Sequence, residues 1–196
     1  MDKEQSRRYF YALMSRVFSD ILDFKTIEQL RENSELLEIL GPDTVTFFEA
    51  NSDSGLEELL NIDFTTMFLM NTHPVESAIY DNSKDIVTGM ENLVMQFYMD
   101  HGYEVNMNGT HLMAPDHISV ELGFMQNAIT KENFEVQYKF SKAHLMSWIP
   151  SFLIACEEMA DTPFYRDFCN FAVEFIVSDF SYIKESLPLK TEDNQV

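Results

Sequence analysis

Apolar residues recur at intervals of three and four along most of the chain, which is the spacing of one face of an α-helix. One such stripe begins near the N-terminus, and another follows residue 117. A later stretch opens with Thr162-Pro163, a capping residue followed by proline at the first helical position. The first stripe contains Phe10, Leu13, Met14, Val17, Phe18, Ile21 and Leu22, and the second contains Ile118, Leu122, Met125 and Ile129. The pattern predicts an all-α protein of about ten helices, resembling a helical bundle.

Two helix boundaries are predicted from individual residues. Ser54 followed by Glu57 matches the capping-box pattern, which places the start of a helix directly after Ser54. Residues 134–148 are predicted as one helix. Pro150 is expected to bend or end it, because proline has no N–H for the helical hydrogen bond.

The longest irregular stretch of the chain separates two groups of predicted helices. We expect a single domain with an N-terminal half at 1–101, a hinge at 102–115 and a C-terminal half at 116–196. A loop of this length inside a compact domain usually has a function.

Composition narrows the range of partners and locations. The net charge of -20 comes from 33 acidic and 13 basic residues, so nucleic acid is not expected as a partner. Solubility explains this charge, although it would also favour a basic partner. Cys156 and Cys169 lie among apolar residues without zinc-site spacing, which favours buried thiols in a reducing compartment. The uncharged run 143–156 is shorter than the roughly 20 residues of a spanning helix. The chain is therefore predicted to be cytoplasmic.

The N-terminal residues 6–10 match the twin-arginine export pattern S-R-R-x-F. An export signal continues with an uncharged apolar stretch and a cleavage site of small residues. Here the arginines are followed by Arg16, Asp20 and Asp23, so we interpret the match as accidental. The segment is expected to be an amphipathic helix of the mature protein.

The candidate chemistry is concentrated in Asp116, His117 and Glu121, which stand at the start of an apolar helix directly after the predicted hinge. Asp116 could cap the helix, with His117 half-buried and bonded to Glu121. The two acids could also receive a guanidinium group. His117 and Glu121 share a helix face, but two ligands make a metal site improbable. Nucleotide-binding glycine loops, a nucleophile elbow and the Glu-x-x-His pairs of di-iron bundles are absent from the sequence.

Several motifs together resemble the TorD/DmsD/NarJ family of cytoplasmic chaperones for molybdoenzyme precursors. The likeness covers nearly the whole chain. Its elements are Pro115-Asp116-His117-Ile118 with Glu121-Leu122 and Phe124-Met125; Pro74, Glu76, Ser77 and Tyr80; His144-Leu145, Trp148, Pro150 and Phe152; and Arg8, Tyr11, Leu13 and Phe18.

This resemblance implies a chaperone without catalytic activity or cofactor. Its partner would be the precursor of a molybdopterin-containing oxidoreductase, similar to dimethyl sulfoxide or trimethylamine N-oxide reductase, bound through its twin-arginine leader. The protein would assist cofactor insertion and delay export, and would meet the membrane only through its client. It would be a monomer, with a domain-swapped dimer as the alternative. The expected leader-binding residues are Asp116, His117, Glu121, Pro115, Tyr80, Ser77, Glu76 and Tyr11.

Two other functions stay open from the residues alone. One is a general helical adaptor in which the Asp116–Glu121 segment only caps a helix. The less favoured one is a small hydrolase with His117 as general base.

For a leader complex, exposed ion pairs would supply only about 1 kcal/mol each, so apolar contacts would be needed as well.

Overall fold

The computed structural model describes residues 2–80, 86–87, 89–105, 114–131 and 133–187. Its first half contains α1 (Lys3–Val17), α2 (Phe24–Glu32), α3 (Ser34–Leu40), α4 (Pro42–Ala50), α5 (Asp53–Phe64), α6 (Glu76–Tyr80) and α7 (Leu93–Asp100). Its second half contains α8 (Ile118–Thr130), α9 (Phe134–Phe140), α10 (Met146–Met159) and α11 (Pro163–Ser186). The prediction of an all-α single domain is confirmed.

Two helix pairs organise the packing. Helix α1 lies along α8, and α10 lies along the 24-residue α11. Helix α11 also contacts α3, α4 and α5, so contacts join parts of the chain on both sides of the predicted hinge. Of that hinge, residues 106–113 lie outside the described residues, and its role stays a prediction.

Aromatic rings fill the centre of the core where these helices meet. Phe18 packs edge-on against Phe68 and Phe168, with ring centroids 5.7 and 5.4 Å apart. Phe68 in turn packs against Tyr165 on α11. These large rings supply much of the apolar area that stabilises the fold.

The predicted cap at Thr162 is confirmed, but the cap at Ser54 is wrong. The Thr162 side chain accepts a hydrogen bond from the Tyr165 N–H at the start of α11. Helix α5 instead begins at Asp53, because Ser52 Oγ accepts the N–H of Gly55. Gly55 has no side chain to return a second bond, so this end lacks the capping-box pattern that pointed to Ser54.

The predicted single helix at 134–148 is interrupted by a π-helical turn. α9 ends at Phe140, residues Ser141–Leu145 form the turn, and α10 then continues past Pro150 to Met159. Pro150 therefore does not end the helix. A second π-helical turn, Thr65–Asn71, follows α5. Such turns are often found at functional sites, and both of these lead into the candidate site.

None of the helices in the described ranges combines the length and the hydropathy needed to span a bilayer.

Tyr165 provides a test of the core packing. Its ring is fully buried, and its hydroxyl has no hydrogen-bond partner within the described ranges. Burial, followed by the nearby Asp63 charge, raises the pKa of this hydroxyl. An unpaired buried hydroxyl is destabilising, so Tyr165→Phe is expected to increase the free energy of unfolding by about 1 kcal/mol. Urea denaturation would measure the change.

Tyr11→Phe is the matched control, because the Tyr11 hydroxyl donates to Asp179 at 2.9 Å. It should lose about 1.5–3 kcal/mol, the usual contribution of a hydrogen bond to a charged group. A loss of stability in Tyr165→Phe as well would mean that the Tyr165 hydroxyl is paired.

Candidate functional site

The site is built where two distant segments of the chain pair with each other. Val75 and His117 form an antiparallel bridge. The Glu76 N–H donates to the Asp116 carbonyl at 3.0 Å, and the Ile118 N–H donates to the Pro74 carbonyl at 2.9 Å. The bridge brings the motif of Pro74, Glu76 and Ser77 beside the motif Pro115-Asp116-His117, and it fixes α6 beside the start of α8.

Asp116 is buried, and one of its two carboxylate oxygens has a hydrogen-bond partner within the described residues. Only 1% of the residue is exposed, and its Oδ2 accepts the Ser77 N–H at 2.8 Å. Its Oδ1 has no partner within the part of the chain that the structure describes. Asp116 therefore does not cap α8, as one interpretation of the sequence had it, and it holds α6 in place instead.

His117 is the residue that caps α8. Its Nδ1 accepts the Ser119 N–H at 3.2 Å and lies 2.8 Å from Ser119 Oγ. Because Nδ1 accepts, the neutral ring carries its proton on Nε2. Burial lowers the pKa of His117 to about 4, although the Asp116 charge raises it. A hydrolase with His117 as general base would need Asp116 or Glu121 to orient the ring, and neither acid is hydrogen-bonded to His117 among the described residues.

The low pKa of His117 predicts a specific pH effect. A group with a lowered folded-state pKa binds its proton less readily when folded, so stability falls as pH drops from about 6.5 towards about 4. His117→Asn keeps a capping acceptor and removes the titration. The free energy of unfolding of His117→Asn minus that of wild type should be about 1 kcal/mol larger at about pH 5.5 than at about pH 8. Denaturation curves at both pH values test this, and an unchanged difference would contradict it.

Glu121 lies beneath this bridge in a cluster of polar side chains, the carboxyl cluster, formed by Glu76, Glu121, His144 and Trp148. Glu121 is fully buried, and its Oε2 accepts the Trp148 Nε1–H at 3.3 Å. Glu76 Oε2 lies 2.9 Å from His144 Nδ1. The π-helical turn Ser141–Leu145 supplies His144. The cluster thus links α6, α8 and α10.

Glu121 is a buried acid whose second oxygen lacks a donor. Its Oε1 has no hydrogen-bond partner within the described ranges. Burial, followed by the Glu76 charge, raises the pKa of Glu121 well above its usual value. Burial away from any bonded cation therefore favours the neutral, protonated form of this side chain.

Two neighbouring cavities adjoin these groups. The first, the acidic cavity, has a volume of about 390 Å³ and is lined by Glu76, Ser77, Tyr80, Glu91 and Asp116, together with Val87, Asn92, Leu93 and Val94. The second, the outer groove, has a volume of about 600 Å³. Its apolar lining comes from Met70, Ala78, Ile79, Tyr80, Trp148, Phe152 and Ala155. Tyr80 lines both, and its hydroxyl donates to the Ser147 carbonyl at 2.8 Å.

The structure brings together most of the residues that the sequence singled out. Glu76, Ser77, Tyr80 and Asp116 share the acidic cavity, and Glu121 lies behind Glu76. Pro115 is buried beside them and accepts the Tyr98 hydroxyl through its carbonyl at 3.3 Å.

His117 and Tyr11 do not line that cavity. His117 lines a separate small apolar cavity with Phe64 and Phe68. Tyr11 was expected to bind the leader, but it is 1% exposed and its hydroxyl is bonded to Asp179. The apolar spacing along α1 could not distinguish a tyrosine buried in the core from a tyrosine that lines the binding cavity.

The exposed ion pairs expected of the acids are not what the structure shows. Asp116 and Glu121 are buried, so pairing with Asp116 would not have the small free energy of an exposed ion pair. Glu91, on the rim of the acidic cavity, was missed because it stands in no recognised motif.

Within the described ranges, no cluster of His, Cys, Asp and Glu could hold a metal ion.

The geometry defines an all-helical protein whose site is an acidic cavity adjoining an apolar groove. Residues 28–153 of the 196 match the family model described as nitrate reductase delta subunit. The chain belongs to this family, and its resemblance to the TorD/DmsD/NarJ group is confirmed.

Similar proteins carry the name chaperone protein TorD. The one from Aggregatibacter aphrophilus is 31% identical over 127 residues, which cover 62% of this chain and 59% of that relative. The match therefore spans less than two thirds of that relative's length. The one from Vibrio atlanticus is 26% identical, covering 72% of this chain and 71% of the relative. The one from Shewanella pealeana is 23% identical, covering 94% and 92%.

Proposed function

We propose that this protein is a chaperone for the precursor of a molybdopterin-containing oxidoreductase, and that it binds the precursor's N-terminal twin-arginine leader. The family membership and the TorD relatives support the chaperone role. The client would resemble dimethyl sulfoxide or trimethylamine N-oxide reductase. The protein would hold it in the cytoplasm, as a monomer, until the cofactor is inserted, and it would catalyse no reaction itself.

The observation that carries the leader-binding site is Asp116, which lines the acidic cavity and whose buried Oδ1 has no hydrogen-bond partner within the described residues. A buried carboxylate oxygen without a donor favours a ligand that brings several N–H groups and a positive charge. A guanidinium group meets that demand. Glu91 on the cavity rim is a further acid within the same cavity, which suits a ligand with two adjacent arginines.

The outer groove suits the remainder of such a ligand. A twin-arginine leader continues from its arginines into an uncharged apolar stretch. Tyr80 is common to both cavities, so a peptide with arginines in the acidic cavity can continue along the apolar groove. Exposed Met70 provides an adaptable surface there, with 75% of its area accessible.

Calorimetry with a synthetic peptide of two adjacent arginines followed by an apolar stretch tests this assignment. Asp116→Asn keeps an oxygen for the Ser77 N–H but removes the charge, so it should weaken binding by about tenfold or more. Glu38→Gln is the matched control, since it removes one charge from an exposed position on α3.

The outcomes separate the candidate functions. Equal weakening by Glu38→Gln would indicate a general charge effect, and unchanged affinity in Asp116→Asn would refute the site. A peptide with glutamines in place of both arginines should bind weakly. If it bound as well as the original, the protein would be better described as a general adaptor for apolar segments.

A further inference from the structure

Helix α6 forms the wall between the acidic cavity and the outer groove. Glu76, Ser77 and Tyr80 line the acidic cavity. Ala78, Ile79 and again Tyr80 line the outer groove. The helix has only five residues, and none of them is fully buried. Because a helix of this length is not stable by itself, its position depends on contacts with its neighbours.

The contacts that hold α6 come from two parts of the chain. Asp116 accepts two backbone N–H groups of its first turn, one at the carbonyl and one at Oδ2. From the other part, His144 Nδ1 lies 2.9 Å from Glu76 Oε2, and the Ser147 carbonyl accepts the Tyr80 hydroxyl at 2.8 Å. Glu76 and Tyr80 stand four positions apart and share one face of the helix. That face is therefore held by the π-helical turn and the start of α10.

His144 is itself fixed by its surroundings. The residue is buried, and its ring packs against Phe97 and Phe140 with centroids 5.7 and 5.1 Å apart. A carboxylate only accepts hydrogen bonds, so His144 carries a proton on Nδ1 and donates it to Glu76. His144 lines neither the acidic cavity nor the outer groove. It acts on a ligand there through Glu76, which does line the acidic cavity.

On the basis of the proposed function, we propose that His144 is a positioning residue that gives the site its preference for arginine over lysine. Its N–H bond immobilises Glu76 beside Asp116, so the leader meets two inner carboxylates of fixed orientation. A guanidinium group is a planar fork of donors, and it gains from carboxylates held at a matching angle. An ammonium group is a compact point charge with rotatable donors, so it gains much less from such an orientation.

The test compares the calorimetric affinity of the twin-arginine peptide with that of the same peptide carrying two lysines. Wild type should bind the arginine peptide about tenfold more tightly, which corresponds to one well-oriented charged hydrogen bond. His144→Phe keeps a ring against Phe97 and Phe140 but has no N–H donor. It should lose most of this preference, through weaker binding of the arginine peptide and little change for the lysine peptide.

Two further variants separate the hydrogen bond from general packing. His144→Asn loses the ring but places an amide N–H near the position of Nδ1, so it should restore the preference for arginine. Lys142→Gln is the matched control, because it changes an exposed residue of the same π-helical turn and should leave the preference unchanged. If His144→Phe does not fold, His144→Leu also lacks a donor and takes its place.

Equal weakening of both peptides in His144→Phe would mean that His144 is only structural, and would overturn its positioning role. An unchanged preference in His144→Phe, or a preference that His144→Asn fails to restore, would do the same. Equal affinity of wild type for the two peptides would also overturn it, and each of these results leaves the proposed function standing. No binding of the arginine peptide by wild type would overturn the proposed function itself.

Discussion

Replacing Arg7 with alanine is expected to lower the free energy of unfolding by about 3–5 kcal/mol, because it removes one partner of a buried ion pair. Only 3% of Arg7 is exposed, and its guanidinium donates to both oxygens of Asp179 and to Gln137 Oε1. Truncation leaves the Asp179 carboxylate, itself 5% exposed, in the core with only the Tyr11 hydroxyl. Urea denaturation would measure the loss.

Arg8→Ala is the matched control for Arg7→Ala. Arg8 is the next residue in the sequence and is partly exposed, and its replacement should change stability by no more than about 0.5 kcal/mol. A double variant, Arg7→Met with Asp179→Leu, should regain much of the loss, since replacing both partners leaves no unpaired charge. Equal losses in Arg7→Ala and Arg8→Ala would show that the buried pair is not what stabilises this end of the bundle.

Glu121→Gln is expected to make the protein more stable than wild type, with a difference that grows with pH. The folded state raises the pKa of Glu121, so above the usual value of 4.5 the folded chain binds this proton more tightly than the unfolded chain does. The stability from this group is complete below about pH 4.5 and falls by up to about 1.4 kcal/mol per pH unit until the folded-state pKa is reached. Glutamine does not titrate, and its side-chain oxygen can still accept the Trp148 N–H.

Denaturation curves for Glu121→Gln and wild type between about pH 5 and pH 8 would measure this difference. Glu121→Ala serves as the contrast, since it removes the titrating group but also leaves a cavity and an unbonded Trp148 N–H, so it should be less stable than wild type. A constant difference between Glu121→Gln and wild type across the range would mean that Glu121 carries no shifted proton.

Much of the fold could be predicted from the sequence, because apolar spacing and Thr162-Pro163 are local signals that survive in the folded chain. The π-helical turns could not, since their wider hydrogen bonds leave the sequence looking continuously helical. The cap of α5 was misplaced because two serines, Ser52 and Ser54, stand two residues apart and the motif rule favoured the wrong one.

The candidate site was predicted in part for a different reason. The motifs indicated which residues matter, and Glu76, Ser77, Tyr80 and Asp116 do lie together. Burial is set by tertiary contacts, so the sequence could not say that Asp116 and Glu121 are enclosed. Nor could it say that neighbouring side chains Asp116 and His117 line different cavities.

The pairing of Arg7 with Asp179 also has a consequence for the growing chain on the ribosome. The two residues are 172 positions apart, so Arg7 gains its partner only after Asp179 has been synthesised. At elongation rates of about 5–20 residues per second this takes roughly 10–30 seconds. For that interval the nascent chain carries Arg7 without its carboxylate partner, and synthesis of α11 supplies that partner, whereas Arg8 stays partly exposed in the folded protein.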